Sequence, residues 1–357
     1  MAENSKIEWT DATWNPIGGC TRVDEGCRNC YAEIMAARFS GPGQWGEGLA
    51  QIVGQPGKTD HRWTGKLRFN ESALDKPLRW RKPRRIFVNS TSDLFHEAVP
   101  DEWIDRVFAV MALAPQHTFQ VLTKRPERAR DYMSHLQSPI YWADLAVASR
   151  KGGVALVGDM GFLQNHPVGP LRNVWLGTSI SDQASTDLRI PHLLACPAAV
   201  RFISAEPLLG PVDLTRWIGT QPYIPGASTH EDQDGHERQD IGGAILDGLD
   251  LVIVGGESGP GARPMHPDWA RSLRDQCQAA GVAFHFKQWG EWAPSTPEDA
   301  AGNPRSGWRC FAGHPHVPRA AELYPEAGAA FIARVGKKAA GRLLDGRTWD
   351  QMPGVAG

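Results

Sequence analysis

The sequence predicts an α/β protein, a full or partial (β/α) barrel of the TIM type with insertions and a C-terminal appendage. Three observations lead there: short apolar runs alternate with amphipathic stretches, no internal repeat is apparent, and polar residues directly follow the apolar runs. The apolar runs are Arg85–Asn89, His117–Thr123, Val174–Ser179, Val200–Ala205, Leu249–Gly255 and Ala283–Gln288, with Thr13–Ile17 as a candidate first strand. Strands separated by helical crossovers pair in parallel. A doubly wound open sheet is the other arrangement that this alternation permits.

Taken in order, Tyr31–Phe39 is helix-like and follows the first strand. Asp101–Leu113 opens with acidic residues and brings Trp103, Val107, Val110 and Met111 near one face, so it reads as the crossover helix between Arg85–Asn89 and Gln120–Leu122. Pro267–Ala280 repeats the pattern before Ala283–Gln288. Two stretches break the alternation, residues 138–170 and residues 219–248 with their polar core THEDQDGHERQD, and both read as insertions. The barrel is assigned to residues 1–292. The Pro/Gly/Ala-rich segment 293–357, with a helix-like Ala320–Leu344, is the appendage.

A chain of 357 residues with 41% hydrophobic content can fill a large core, which excludes a disordered chain. Lys+Arg 38 against Asp+Glu 40 leaves a formal charge of −2, which excludes a bulk basic sleeve for nucleic acid. A local patch remains open. Lys76–Arg85 (KPLRWRKPRR) gathers cations around Trp80, with Arg62, Lys66 and Arg68 shortly before. Basic residues interleaved with aromatics can grip a nucleic-acid backbone and stack bases, so this segment reads either as a DNA contact or as a solvated basic loop. The N-terminal residues lack a signal-peptide pattern and the longest apolar runs are far short of a membrane span, so the expectation is a cytoplasmic protein without a membrane partner.

The most specific feature is Cys20-x6-Cys27-x2-Cys30, three of the 6 cysteines in one short loop, while Cys196, Cys277 and Cys310 lie alone. Thiolates suit zinc or iron-sulfur clusters, and a C-x2-C step brings two sulfurs to one metal or one cluster face. Cys30 precedes the helix-like Tyr31–Phe39, whose N-terminus would favour thiolate charge. A structural zinc normally takes four protein ligands, and the next candidates are distant, His61 and Cys196. Three ligands on a four-iron cluster would leave one iron open to a small molecule. Zinc completed by a distant residue, or three unligated structural cysteines, are the competing readings.

In parallel α/β folds, functional groups gather where strands end. Here those ends carry Asn89, Ser90, Ser92 and Asp93, then Lys124 and Arg125, Ser179, Glu206, Glu257 and Lys287. Together they read as one binding mouth; singly, the Ser and Asp residues read equally as helix caps. Lys124, Arg125 and Lys287 could hold a carboxylate or phosphate.

A glycine-bounded three-cysteine loop ending in Cys-Tyr-Ala, before the first helix of such a barrel, resembles the radical S-adenosylmethionine (SAM) enzymes. The nearest likeness is to a phage and bacterial three-cysteine-motif group distantly similar to spore photoproduct lyase. Its matching segments are IEWTDATWNPIGGC, CRNCYAE, FVNSTSDLFHEAVP, VLTKRPER, VWLGTSI, ISAEPLLGP, VIVGGESGPGARPM and FKQWGEW, spanning Ile7 to Trp292. The resemblance implies a [4Fe-4S] cluster on Cys20, Cys27 and Cys30, SAM as second cofactor, an external one-electron reductant, and a 5′-deoxyadenosyl radical that abstracts hydrogen from substrate. It implies Asn89, Ser90, Ser92, Asp93, Ser179 and Glu206 as cofactor contacts, with Lys124, Arg125, Glu257 and Lys287 around the reaction. The substrate it suggests is a pyrimidine base in DNA, repaired or hypermodified, in the host cytoplasm if the chain is phage-encoded. A free nucleotide, amino acid or peptide substrate, and a non-catalytic zinc-stabilised nucleic-acid-binding protein, are the alternatives. The chain departs from the commonest C-x3-C-x2-C spacing, and Asn29 stands before the last cysteine where an aromatic often packs on adenine; Tyr31 or Trp14 would substitute.

Overall fold

The computed structural model describes residues 3–55, 58–134, 170–221, 229–231, 237–239, 246–296 and 330–354. The expected insertion at 138–170 lies outside the described residues except for its last one, and Cys310 lies outside them altogether. Seven strands form one parallel sheet: β1 (Ala12–Trp14), β2 (Arg85–Val88), β3 (Thr118–Thr123), β4 (Val174–Ile180), β5 (Val200–Ala205), β6 (Leu251–Gly255) and β7 (Ala283–Gln288). Their spatial order follows the chain strictly, from β1 at one edge to β7 at the other. Such an order has no point at which the winding reverses, so the doubly wound alternative is set aside. The sheet curls as a half-barrel.

The helices are α1 (Tyr31–Arg38), α2 (Asp101–Ala112), α3 (Pro126–Ser134), α4 (Gln183–Leu194) and α5 (Pro267–Ala280). Local chemistry explains their ends. Asp182 caps α4 by accepting from Ser185 N at 2.8 Å while Ser185 Oγ accepts from Asp182 N at 3.1 Å, a reciprocal capping box. His266 Nδ1 accepts from Asp268 N at the start of α5, and Gly281 ends that helix with a left-handed φ of 69°. In α2 the buried face carries Ile104, Val107, Phe108 and Met111, whereas Trp103, expected on that face, is half-buried against Phe69 at 5.2 Å.

Both faces of the sheet are apolar, which is why its strands read as continuous hydrophobic runs. Along β6 the alternation is explicit: Val252 and Val254 join the large core under the helices, while Leu251 and Ile253 join a smaller cluster with Trp9, Phe87, Trp175 and Phe202. That inner cluster is tight enough that a Cβ at Gly177 would lie 2.6 Å from the Phe202 ring. Trp14 is fully buried, its indole N–H donating to Ala73 O at 2.8 Å, so it cannot be the substitute aromatic for adenine. This corrects the expectation.

The polar stretch 219–248 leaves and returns through a short antiparallel pair, Thr220–Gln221 with Leu246–Asp247, and its THEDQDGHERQD core contains a second pair, Thr229–Glu231 with Glu237–Gln239. Near the C-terminus, Ile332–Arg334 pairs with Trp292–Pro294, and the helix expected over Ala320–Leu344 is, in its described part, this strand and one turn at Lys337–Ala340. Residues 349–351 run along the outer edge of β7, with Phe286 N donating to Trp349 O at 2.9 Å and Gln351 N to Phe284 O at 3.2 Å. Trp349 and Leu344 belong to the main core, so this segment covers an edge that would otherwise be open for pairing. No helix among the described residues is long and apolar enough to cross a membrane.

Candidate metal centre

The loop from Gly19 to Cys30 joins β1 to α1 at the carboxyl end of the sheet. Its three cysteines are free and half-buried, and each thiolate would repel the others, so they are neighbours. Burial pushes the Cys20 thiol up to about 12, Asp93 adds to this and Arg125 opposes it. Burial also raises Cys30, against the N–H groups of Glu33 and Ala32 at the start of α1, which favour its thiolate. Without a bound cation the Cys20 and Cys30 thiols stay protonated. Among the described residues no group of three or more His, Cys, Asp or Glu side chains is arranged to hold a single metal ion. Sulfurs around one ion must lie within about 4 Å of each other, given a metal–sulfur bond of about 2.3 Å, whereas a cube takes each thiolate on a different iron and asks for a wider triangle.

Three arginines from three other parts of the rim grip this loop. Arg125, after β3, donates to Thr21 Oγ1 at 2.8 Å and to Thr21 O at 3.3 Å. Arg189, from α4, binds Asp24 at 2.6 Å while its other nitrogen binds Ser179 O. Lys124 reaches the same aspartate at 3.5 Å. Burial alone would raise Asp24, but these two cations hold it below the ordinary carboxylate range. Arg263, after β6, donates to Glu25 O at 2.9 Å and is locked on Glu257 by contacts of 2.7 and 3.0 Å. Asn29 completes that tie, donating to Glu257 at 3.0 Å and to Gly261 O at 2.9 Å. The loop fits so closely that a Cβ at Gly26 would stand 2.4 Å from Ser181 Oγ and 3.0 Å from Lys124 Nζ. A larger residue there would have to displace the ends of the Ser181 and Lys124 side chains.

The base of the loop is stitched to the segment after β2. Ser90 Oγ donates to Asn15 Oδ1 at 3.2 Å, Ser92 Oγ to Ile17 O at 2.8 Å, and Ile17 N to Asn89 Oδ1 at 3.3 Å. Asn89 holds a left-handed φ of 55°, which asparagine tolerates better than most residues, and its Nδ2 is buried with no hydrogen-bond partner. His96 accepts from Ala98 N through Nδ1, so its Nε2 carries the proton and donates to Thr21 Oγ1 at 2.8 Å. Burial and then Arg125 depress the His96 pKa, keeping the ring neutral.

A family model described as a protein of unknown function, DUF5131, matches residues 4–353. The chain belongs to this family. No curated protein and no solved structure matches it. The DUF5131 match runs through the sheet, the cysteine loop and the C-terminal segment alike.

In this DUF5131 chain the cysteines and the candidate residues at the strand ends lie at the same rim, one group from each strand end, but most serve each other. Asp93 accepts from Phe95 N, Thr123 Oγ1, Lys124 N and Arg125 Nη1, at 2.7 to 3.0 Å, which occupies its carboxylate. Glu257 is 6% exposed and closed off by Arg263 and Asn29. Lys287 Nζ lies 2.8 Å from both oxygens of Glu206, with Gln288 Nε2 at 3.3 Å from the same carboxylate. Ser179 is buried, its carbonyl held by Arg189. Tyr31 is 53% exposed at the rim, its hydroxyl donating to Ser90 O. Sequence reasoning missed Arg189 and Arg263, because nothing in a helix-face arginine or an Ala-Arg-Pro tripeptide signals a partner far away in the chain. The basic segment sits elsewhere: Arg85 opens β2, at the amino end of the strand whose carboxyl end leads to Asn89. There Arg84 stacks on Trp80 at 5.0 Å, Arg79 pairs with Asp75 and Arg85 with Asp11.

Proposed function

We propose that this protein is a radical SAM enzyme built on a partial (β/α) barrel of that type, with one [4Fe-4S] cluster on Cys20, Cys27 and Cys30. The observation that carries the reading is the cysteine loop itself: three neighbouring free thiols, strapped by Arg125, Arg189 and Arg263 over the carboxyl mouth of a parallel sheet. The donor set fits the group, since three soft sulfurs suit a cluster whose charge would stabilise the Cys20 and Cys30 thiolates that burial otherwise disfavours. When bound, the cluster with SAM would supply one-electron cleavage of the sulfonium and a carbon-centred radical.

The chain's own residues do the positioning. Arg125, Arg189 and Arg263 fix the loop before any cofactor arrives, so loading costs little reorganisation. Asn89, with an unsatisfied buried Nδ2, and Ser179, Glu206 and exposed Tyr31 at the same rim are the groups that would serve SAM. The apolar inner cluster under the mouth excludes water and stray hydrogen donors from below. The proposed substrate is a pyrimidine base in DNA, with electrons from an external one-electron reductant, in the cytoplasm. Lys76–Arg85 lies at the opposite end of β2, so a base at the mouth would be held by residues other than these. Anaerobic reconstitution, iron and sulfide analysis and a SAM-cleavage assay test the reading: cluster loading with 5′-deoxyadenosine formation is expected, and a chain that retains only zinc would sink it.

A further inference from the structure

Arg125 was expected to hold a substrate anion, yet its side chain is 6% exposed and each of its nitrogens already has a protein acceptor. Nε donates to Glu97 Oε1 at 2.6 Å, Nη2 to Thr21 Oγ1 at 2.8 Å, and Nη1 to Asp93 Oδ2 at 3.0 Å. The planar fork is thereby fixed from both sides, by the segment after β2 and by the cysteine loop. Nη1 carries two hydrogens, and Asp93 takes one. The same nitrogen lies 3.9 Å from Cys20 Sγ, within reach of an N–H···S hydrogen bond. In the free thiol, Cys20 Sγ is itself a donor, to Thr21 O at 3.4 Å. A metal-bound thiolate has no such proton and is purely an acceptor, so the charged N–H beside it gains a partner on loading.

We infer that Arg125 is a positioning residue that hydrogen-bonds the Cys20 sulfur in the loaded protein and raises the reduction potential of the group bound there, an inference that rests on the cluster reading. A donor to a ligating sulfur favours the more negative, reduced state, and hydrogen bonds to the sulfurs are among the factors that set cluster potentials. The lever is directional. Asp93 and Glu97 offset the charge of Arg125, but they also aim its remaining hydrogen.

The test is a mediated redox titration of reconstituted protein with dithionite, read by the electron-paramagnetic-resonance signal of the reduced cluster, beside iron content and circular dichroism. R125Q removes the charged donor and is expected to make reduction about tenfold less favourable, roughly a 59 mV fall for a one-electron couple. Should R125Q fail to fold around Asp93, R125K supplies the reading: it keeps a cation for Asp93 but lacks the fork that serves Asp93 and the sulfur together, and its potential is also expected to fall. E97Q, which keeps an oxygen acceptor for Arg125 Nε and alters only the charge of a partner that is 67% exposed, is expected to leave the reduction equilibrium within a threefold change. Equal potentials in wild type and R125K, both with full iron, would overturn the inference and leave Arg125 a brace for the loop. A wild-type chain that takes up no cluster would overturn the underlying reading as well, so the two failures are distinguishable.

Discussion

The two ends of the β-sheet are built by different means. At the carboxyl rim, arginines from separate connections reach across to one short loop, and nearly every contact is an ion pair or a hydrogen bond between residues far apart in sequence. At the amino rim, the basic segment Lys76–Arg85 is settled by local and backbone contacts: a one-turn helix, Arg84 on Trp80, His117 Nε2 at 3.0 Å from Pro77 O, and Arg85 on Asp11. A loop of cysteines and glycines has little core of its own, so it must be held by charge. A segment beside Trp80 is held by packing. Polar contacts are directional, and they fix atomic positions as a ligand shell requires.

The sharpest way to break this contrast is at the thiols. C20A, C27A and C30A are each expected to keep the circular dichroism of the wild type and to lose iron binding and SAM cleavage entirely, because these side chains contribute little to the core. A structural zinc would give the opposite result, unfolding with the first substitution.

Next comes the strap. R263A removes the guanidinium from a 6%-exposed carboxylate, leaving Glu257 with only the neutral donors Asn29 Nδ2 and the backbone N–H of residue 263, and is expected to cost about 3 kcal/mol in urea unfolding and to lower iron loading. G26A tests the same strap sterically. It should lose iron loading by forcing Ser181 and Lys124 away, with a smaller stability loss of about 1–2 kcal/mol.

A pH scan separates the core of the sheet from its rims. His285, 1% exposed on β7, has its pKa driven from 6.5 to about 4 by burial first, with Asp350 opposing that shift at 3.7 Å and Arg342 reinforcing it. The unfolded chain binds this proton first, so stability is full above pH 6.5 and falls as the pH drops from 6.5 toward 4. The loss should approach about 3 kcal/mol at one proton. Thermal melts of H285Q should lack that part of the slope.

Legibility followed the same division. The strands and α5 could be read because apolar periodicity is local, and Pro267, the His266 cap and Gly281 punctuate α5 within the chain itself. The cysteine loop was legible from spacing. What could not be read were the long-range ties, such as Arg263 to Glu25 and Glu257 or Arg189 to Asp24, since a surface arginine and a latch have the same letter. The same blindness made Lys124, Arg125, Glu257 and Lys287 look available to a substrate, when each has an oppositely charged partner within the rim. Trp14 looked available for adenine because a motif gives neighbours in sequence, not depth.

The smallest effect is expected at the amino rim. Arg81 and Lys82 are exposed, and R81A/K82A should leave SAM cleavage unchanged while weakening DNA retention in filter binding uniformly across sequences, with a shallower salt dependence. A loss of SAM cleavage in that variant would show that the two rims communicate.

The most direct measurement is the metal and sulfide content of the wild-type chain after anaerobic reconstitution, followed by incubation with SAM and dithionite. About four irons and four sulfides per chain, with 5′-deoxyadenosine appearing only when SAM and reductant are both present, is the predicted result. One zinc per chain, no sulfide and intact SAM would contradict it.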